Sequence, residues 1–319
     1  MFIAQAFNVQ HDFWRYLVGS IIIFVAALIG QFPLMGALVF QSISDGSPLE
    51  DINETTMFQM LDSNVFLFLM LLSFVAAFIG LILAVKYLHE QSITSVATAR
   101  QKLDWKRIGF AFLFWGIISS GMILVDYLFL SPDNYVMNFE FSRFFILLVI
   151  AVLLVPIQTS LEEYLFRGYL MQGFGMLAKN RWFPLLMTSA IFGLLHITNP
   201  EVEKLGYVLV FYYIGTGLFL GIITLMDDGI ELALGFHAAN NLFTALLVTS
   251  DWTVFQTHSI LKDVSEPEMS VGYVILPLCV IFPIIIFIFS KVYKWKNWKE
   301  KLIGEVYEPP KEDYKIIGE

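Results

Sequence analysis

Six polar side chains interrupt three separate apolar runs: Glu162, Glu163 and Arg167 near the end of one, His196 in the next, and His237 with Asn241 in a third. A charged group at bilayer depth costs roughly 2.5–3.5 kcal/mol on insertion scales, so it persists where it is paired or lines a cavity. Residues of these types on separate spans point to a polar site inside a membrane protein. Two chemistries suit them. A carboxylate and imidazoles can move protons while an amide and a second imidazole donate to a developing oxyanion. Alternatively, Glu162, His196 and His237 can supply a His₂Glu zinc set with water in the fourth position.

The segment SLEEYLFRGYL, residues 160–170, is the densest signal. On a helix Glu163 and Arg167 are four apart, an ion-pair spacing with the acid on the N-terminal side. Glu162 points about 100° away and is not neutralised by that arginine. Alone, the segment also suits a structural pair plus a carboxylate snorkelling to the interface, although apolar residues continue past Glu162. FGLLHITN, residues 192–199, puts Phe192 and His196 on one helical face. GFHAANNLF, residues 235–243, does the same for His237 and Asn241, with Ala238 and Ala239 small enough to admit a neighbouring helix. These polar groups also suit hydrogen bonds between helices, worth roughly 0.6 kcal/mol each. Depth argues for a common site. At about 1.5 Å per residue, Glu162 lies about 15 Å back from Met171, His237 roughly 10 Å into its helix and His196 about 20 Å beyond Phe183. All three fit one layer in the cytoplasmic half or near the midplane. His11, His89 and His258 fall in flanks or loops and read as solvated, and Asp227 with Asp228 reads as a cap for the helix that follows.

The elements that must hold these residues are membrane helices. The 319-residue chain is 57% hydrophobic, which excludes an ordinary soluble domain. Eight apolar segments are predicted, at about 16–40, 64–88, 108–130, 144–172, 183–198, 206–226, 230–250 and 271–292. The fold class expected is all-α, a polytopic helical bundle. The fourth segment is longer than a span needs and the fifth is short, so the fourth runs past the hydrocarbon edge and protein partly shields the fifth. Gly217-xxx-Gly221 in the sixth suits close helix contact. Residues 1–293 read as one membrane domain with its motif core at about 144–250, and 294–319 as a juxtamembrane tail.

With the N-terminus inside, all but three of the 19 basic residues (Arg143, Lys204 and Lys262) fall on the cytoplasmic side. Both termini are then cytoplasmic. The first outer loop is acidic (Asp45, Glu50, Asp51, Glu54, Asp62), and the tail lysines from Lys291 to Lys315 read as a topology signal that contacts lipid headgroups. The N-terminus shows no cleavable signal. The single cysteine, Cys279, excludes an internal disulfide.

Glu162-Glu163-xxx-Arg167, Phe192-xxx-His196 and His237-xxx-Asn241, in that order on separate segments, resemble the three motifs of the CPBP intramembrane proteases. That family includes the type II CAAX prenyl endopeptidases and bacterial proteins linked to bacteriocin processing or immunity. The resemblance implies a glutamate-dependent membrane endopeptidase without a metal cofactor. By that likeness Glu162 and His196 hold and activate the attacking water, His237 and Asn241 stabilise the oxyanion, and Glu163 and Arg167 brace the site. The partners implied are a peptide or protein substrate, lipidated or not, and membrane lipids, with no nucleic acid. The location expected is a bacterial plasma (inner) membrane, with water reaching the site from the cytoplasm. A zinc protease on the same residues and a non-catalytic immunity, scaffold or transport protein are the competing readings.

Overall fold

The computed structural model describes residues 2–46, 48, 54–267 and 272–308. Glu50, Asp51, Lys311 and Lys315 of the sequence reading lie outside the described residues. Eight apolar helices succeed one another: α1 (Phe13–Asp45), α2 (Ser63–Leu88), α3 (Trp105–Leu130), α4 (Phe141–Ala178), α5 (Trp182–Leu194), α6 (Val208–Asp227), α7 (Glu231–Leu247) and α8 (Val274–Val292). The chain is a polytopic helical membrane protein. Each apolar segment of the sequence forms one helix, yet only six of the eight are long and apolar enough to cross a membrane. The two that fall short are α5, with 13 residues, and α7, with 17. Those two lead to His196 and carry His237 with Asn241. Most of α7 is buried, so its surroundings are protein rather than lipid.

Local signals start and stop these helices. The Asp62 and Asp104 carboxylates accept from backbone N–H groups at the starts of α2 and α3, and the Asn180 amide oxygen accepts from Phe183 N–H at the start of α5. Asp228 closes α6 in the left-handed conformation, φ 56°. At 38 residues, α4 is about 57 Å long, nearly twice a hydrocarbon core of about 30 Å. It carries Pro156 and then widens into π-helical turns over Tyr164–Leu170, directly after Glu163. A proline and a π-segment both loosen the backbone ladder, and π-turns recur at functional sites.

Small residues bring helices close around α4. Ser189 Cα of α5 lies 2.9 Å from where a side chain on Gly217 would begin, and Leu185 blocks the corresponding space at Gly221. The Gly217-xxx-Gly221 spacing thus seats α6 on α5.

The loops sort onto two opposite faces. On one, Ala99 N–H donates to Asp228 O (2.9 Å), Gln10 N–H to His89 O (3.0 Å) and Arg181 N–H to Gly304 O (3.0 Å), which joins residues 2–12, 88–104, 179–182, 228–231 and 293–306. On the other, β1 (Tyr135–Met137) pairs antiparallel with β3 (Leu261–Asp263), and β2 (Val248–Thr249) pairs parallel with β3. There Asn64 Nδ2 donates to Arg143 O (2.9 Å) and Val254 N–H to Glu201 Oε2 (3.1 Å). The first is the basic face and the second the sheet face.

Three expectations are corrected on the basic face. Asp227 does not cap α7: its carboxylate, at the end of α6, pairs with Arg100 (3.0 Å) and Arg107 (2.7 Å), long-range partners that sequence spacing cannot reveal. Asp228 pairs with Lys301, so that tail lysine meets protein rather than a headgroup. His89 is fully buried, with Nδ1 donating to Gln10 O (2.7 Å) and Nε2 against Tyr169 Oη (2.9 Å). Gln10, Tyr16 and Tyr169 enclose it, and a flank position gave no sign of that cover.

Burial, with Arg15 close by, pushes the His89 imidazole below its ordinary value near 6.5. A group depressed in the folded state gives full stability above its unfolded value and loses it as the pH falls towards the folded one. Thermal stability in detergent should therefore fall more steeply between about pH 7.5 and 5.5 for the wild type than for His89→Asn. Parallel profiles would contradict this.

Candidate active site

The carboxylates of α4 set the site's geometry. Glu163 and Arg167 are completely buried, and Arg167 Nη1 donates to Glu163 Oε1 at 3.0 Å. The guanidinium also reaches Gly217 O (3.5 Å) and lies 4.2 Å from the centre of the Phe192 ring. An interior ion pair persists when further hydrogen bonds and close packing offset its lost hydration. Glu163 Oε1 has a second partner: His237 Nδ1 donates to it at 2.7 Å. The pair thus anchors the His237 ring through Nδ1–H and leaves its Nε2 free of Glu163.

That nitrogen faces Glu162, whose Oε2 lies 3.7 Å from His237 Nε2. Glu162 Oε2 is buried and takes no hydrogen bond from the described residues. Its Oε1 accepts from Gln158 Nε2 at 2.5 Å. Gln158 Oε1 in turn accepts from Asn241 Nδ2 (3.2 Å), Asn240 Nδ2 donates to Asn241 Oδ1 (3.2 Å), and Trp115 Nε1 donates to Asn240 Oδ1 (3.0 Å). A continuous polar chain therefore runs from α3 through α7 to the acid on α4.

Gln158, Asn240 and Trp115 are absent from the sequence reading. Gln158 was findable, since it is a polar residue one helical turn before Glu162 and on the same face. Gln158 links Glu162 to Asn241, so Gln158→Leu should lower kcat by roughly 10²-fold through misplacement of both while KM changes less. Wild-type kcat in that variant would show that Gln158 does not position them.

His196 comes to the site differently. Helix α5 ends at Leu194, so His196 lies in the following turn rather than on a helical face, which corrects the expectation. Its Nδ1 donates to Phe192 O (2.7 Å), leaving Nε2 as the free nitrogen. The ring packs against Phe192, with centroids 4.7 Å apart and planes tilted by 52°, and stacks on Tyr213 of α6 at 4.3 Å and 22°. Tyr213 Oη donates to Glu201 Oε1 (2.7 Å), so Glu201 holds both the clamp on His196 and, through Val254, the loop after β2. No hydrogen bond or ion pair links His196 directly to Glu162 among the described residues.

All four residues read as catalytic, Glu162, His196, His237 and Asn241, line one cavity of about 1010 Å³, and Gln158 and Glu201 line it too. Glu163 and Arg167 stand behind its wall. Among the described residues, no three His, Cys, Asp or Glu side chains are grouped as ligands for a metal ion. The arrangement offers an acid with one free oxygen, two imidazoles each with one free nitrogen, and an amide, all around a space that water can enter.

Residues 141–243, which span α4 to α7, match the model of the family described as type II CAAX prenyl endopeptidase Rce1-like. The chain is also 34% identical over 247 residues to the uncharacterized protein YyaK of Bacillus subtilis (strain 168), covering 77% of this chain and 81% of that protein. No solved structure matches it.

Proposed function

The chain belongs to the Rce1-like, CPBP family of membrane endopeptidases, and from that footing we propose that it hydrolyses peptide bonds of membrane-associated substrates at the Glu162 cavity. The observation that carries this reading is the free Glu162 Oε2 beside His237 Nε2, at 3.7 Å, in a cavity shared with His196 and Asn241. Glu162 takes a proton from water as the oxygen attacks the scissile carbonyl, and His196 Nε2 orients that water. The carbonyl oxygen becomes an oxyanion that Asn241 Nδ2–H stabilises together with His237, which donates from Nε2 as an imidazolium held between Glu162 and Glu163. One such donor is worth roughly 2.7–4 kcal/mol in the transition state. Glu162 then returns its proton to the departing amine. Glu163 contributes by anchoring His237 through its Nδ1–H, and Arg167 by holding Glu163. Residues 1–293 act as one protease domain in a bacterial plasma membrane, an assignment that the Bacillus relative supports.

The test is cleavage by purified protein in detergent of an internally quenched peptide ending in Cys-aliphatic-aliphatic-X, farnesylated and unmodified, and of a leader-type precursor peptide. Turnover of any of these that is lost in Glu162→Gln supports the reading. Absence of cleavage, together with full cellular function of Glu162→Gln, would favour the immunity or scaffold reading. Zinc held by Glu162, His196 and His237 is the other alternative. Undiminished turnover in a strong chelator, with metal analysis showing none bound, removes it.

A further inference from the structure

We propose that the catalytic cavity is entered from the extracytoplasmic side, so that the substrate is an exported or membrane-anchored polypeptide whose scissile bond is presented there. This rests on the endopeptidase reading for the word substrate, but not for the side of entry.

The cavity is asymmetric between the two faces. Its walls include Asn199 and Glu201 after α5, Ser250, Thr253 and Val254 after β2, and Asp263 of β3, all on the sheet face. No residue of the basic-face loops lines it: none from 2–12, 88–104, 179–182, 228–231 or 293–306. Between the catalytic groups and the basic face lies packed protein. Val96, Met171, Ile230 and Leu234 belong to one buried cluster there, and each is at most 7% exposed. Beneath them, Asp227 and Glu231 are locked to Arg100 and Arg107. The loop lining of the cavity therefore lies on the sheet face alone among the described residues, and packed protein stands between the catalytic groups and the basic face.

The basic residues give the membrane sidedness. Among the described residues the basic face carries Arg15, Lys86, Arg100, Lys102, Lys106, Arg107, Lys179, Arg181 and the lysines from Lys291 to Lys301, whereas the sheet face carries only Arg143, Lys204 and Lys262. Short loops with such an excess of Lys and Arg stay in the cytoplasm. The sheet face is then extracytoplasmic, and the loops that line the cavity lie on it. This reverses the expectation that water reaches the site from the cytoplasm. The depth of Glu162 and His237 alone suggested that route, because the packed plug beneath them is a tertiary feature. On the membrane side, Ile23, Phe24 and Ala27 of α1 with Phe74 of α2 give the cavity an apolar wall that suits a membrane-embedded stem.

The test is thiol labelling in a Cys279→Ser background, in right-side-out and inverted vesicles from expressing cells, with a small membrane-impermeant cationic methanethiosulfonate. His196→Cys and Thr253→Cys report on the cavity, Lys262→Cys on the sheet face and Lys299→Cys on the basic face. The expected result is that His196→Cys, Thr253→Cys and Lys262→Cys label in right-side-out vesicles and lose labelling in inverted ones, with Lys299→Cys doing the opposite. Labelling of the two cavity positions from the same side as Lys299→Cys, or from neither side, overturns the proposal. Labelling needs no turnover, so a protein that labels as expected but cleaves nothing would sink the endopeptidase reading alone.

Discussion

Glu162→Gln should abolish detectable peptide cleavage, with kcat reduced by about 10²–10⁴-fold, the usual contribution of a positioned general base. The substitution keeps the side chain's shape and can keep the Gln158 contact, but removes the charge from the oxygen that faces His237 across 3.7 Å. Expression, insertion and melting in detergent should stay near wild type, because Glu162 is not the carboxylate that neutralises Arg167. His196→Ala should cost a comparable factor while KM changes little, since its free nitrogen is assigned to the water rather than to the substrate. Steady-state kinetics on the quenched peptides, with melting curves on the same preparations, check both. Either variant at wild-type kcat would remove its residue from the chemistry.

The second large effect is on stability. Arg167→Ala leaves Glu163 charged and completely buried, with only His237 as a hydrogen-bonding partner. Breaking an interior pair from one side typically destabilises by about 3–5 kcal/mol, more than replacing both partners by apolar groups. Melting in detergent should drop sharply, and Arg167→Lys should recover only part of it. An ammonium carries the charge but cannot also cover the Phe192 ring while reaching Gly217 O. The double variant Glu163→Leu/Arg167→Leu should be more stable than Arg167→Ala yet inactive, because His237 loses its anchor. A melting curve for Arg167→Ala that overlays the wild type would show the pair to be solvated and the bracing role mistaken.

Much of this was legible in the amino-acid sequence, for a physical reason: apolar length and helical spacing are local quantities. The eight helices, the Glu163–Arg167 pair and the close-contact spacing at Gly217 all follow from residues within a few positions of one another. What escaped depends on contacts between distant segments. Gln158 looks like one polar residue in an apolar run until Asn241 arrives from α7. Tyr213 and Glu201 read as part of a helix and a loop, and only the turn at His196 makes them its clamp. His89 and Asp227 sit at helix ends where solvent is the default expectation, and in both cases remote segments cover them. The shortness of α5 was visible, but not that its motif histidine falls beyond the last helical turn. The plug below the site and the loop lining above it are properties of packed faces, to which periodicity is blind.

The catalytic assignment depends most on His196, which shares the cavity with Glu162 but has no hydrogen bond or ion pair to it among the described residues. The most direct measurement is therefore cross-linking of Glu162→Cys/His196→Cys in the Cys279→Ser background with a short bifunctional methanethiosulfonate in detergent, read by intact mass. The expected result is rapid closure of one intramolecular bridge between the two positions. Two separate adducts with no bridge would place the acid and the imidazole in different spaces and contradict a shared site.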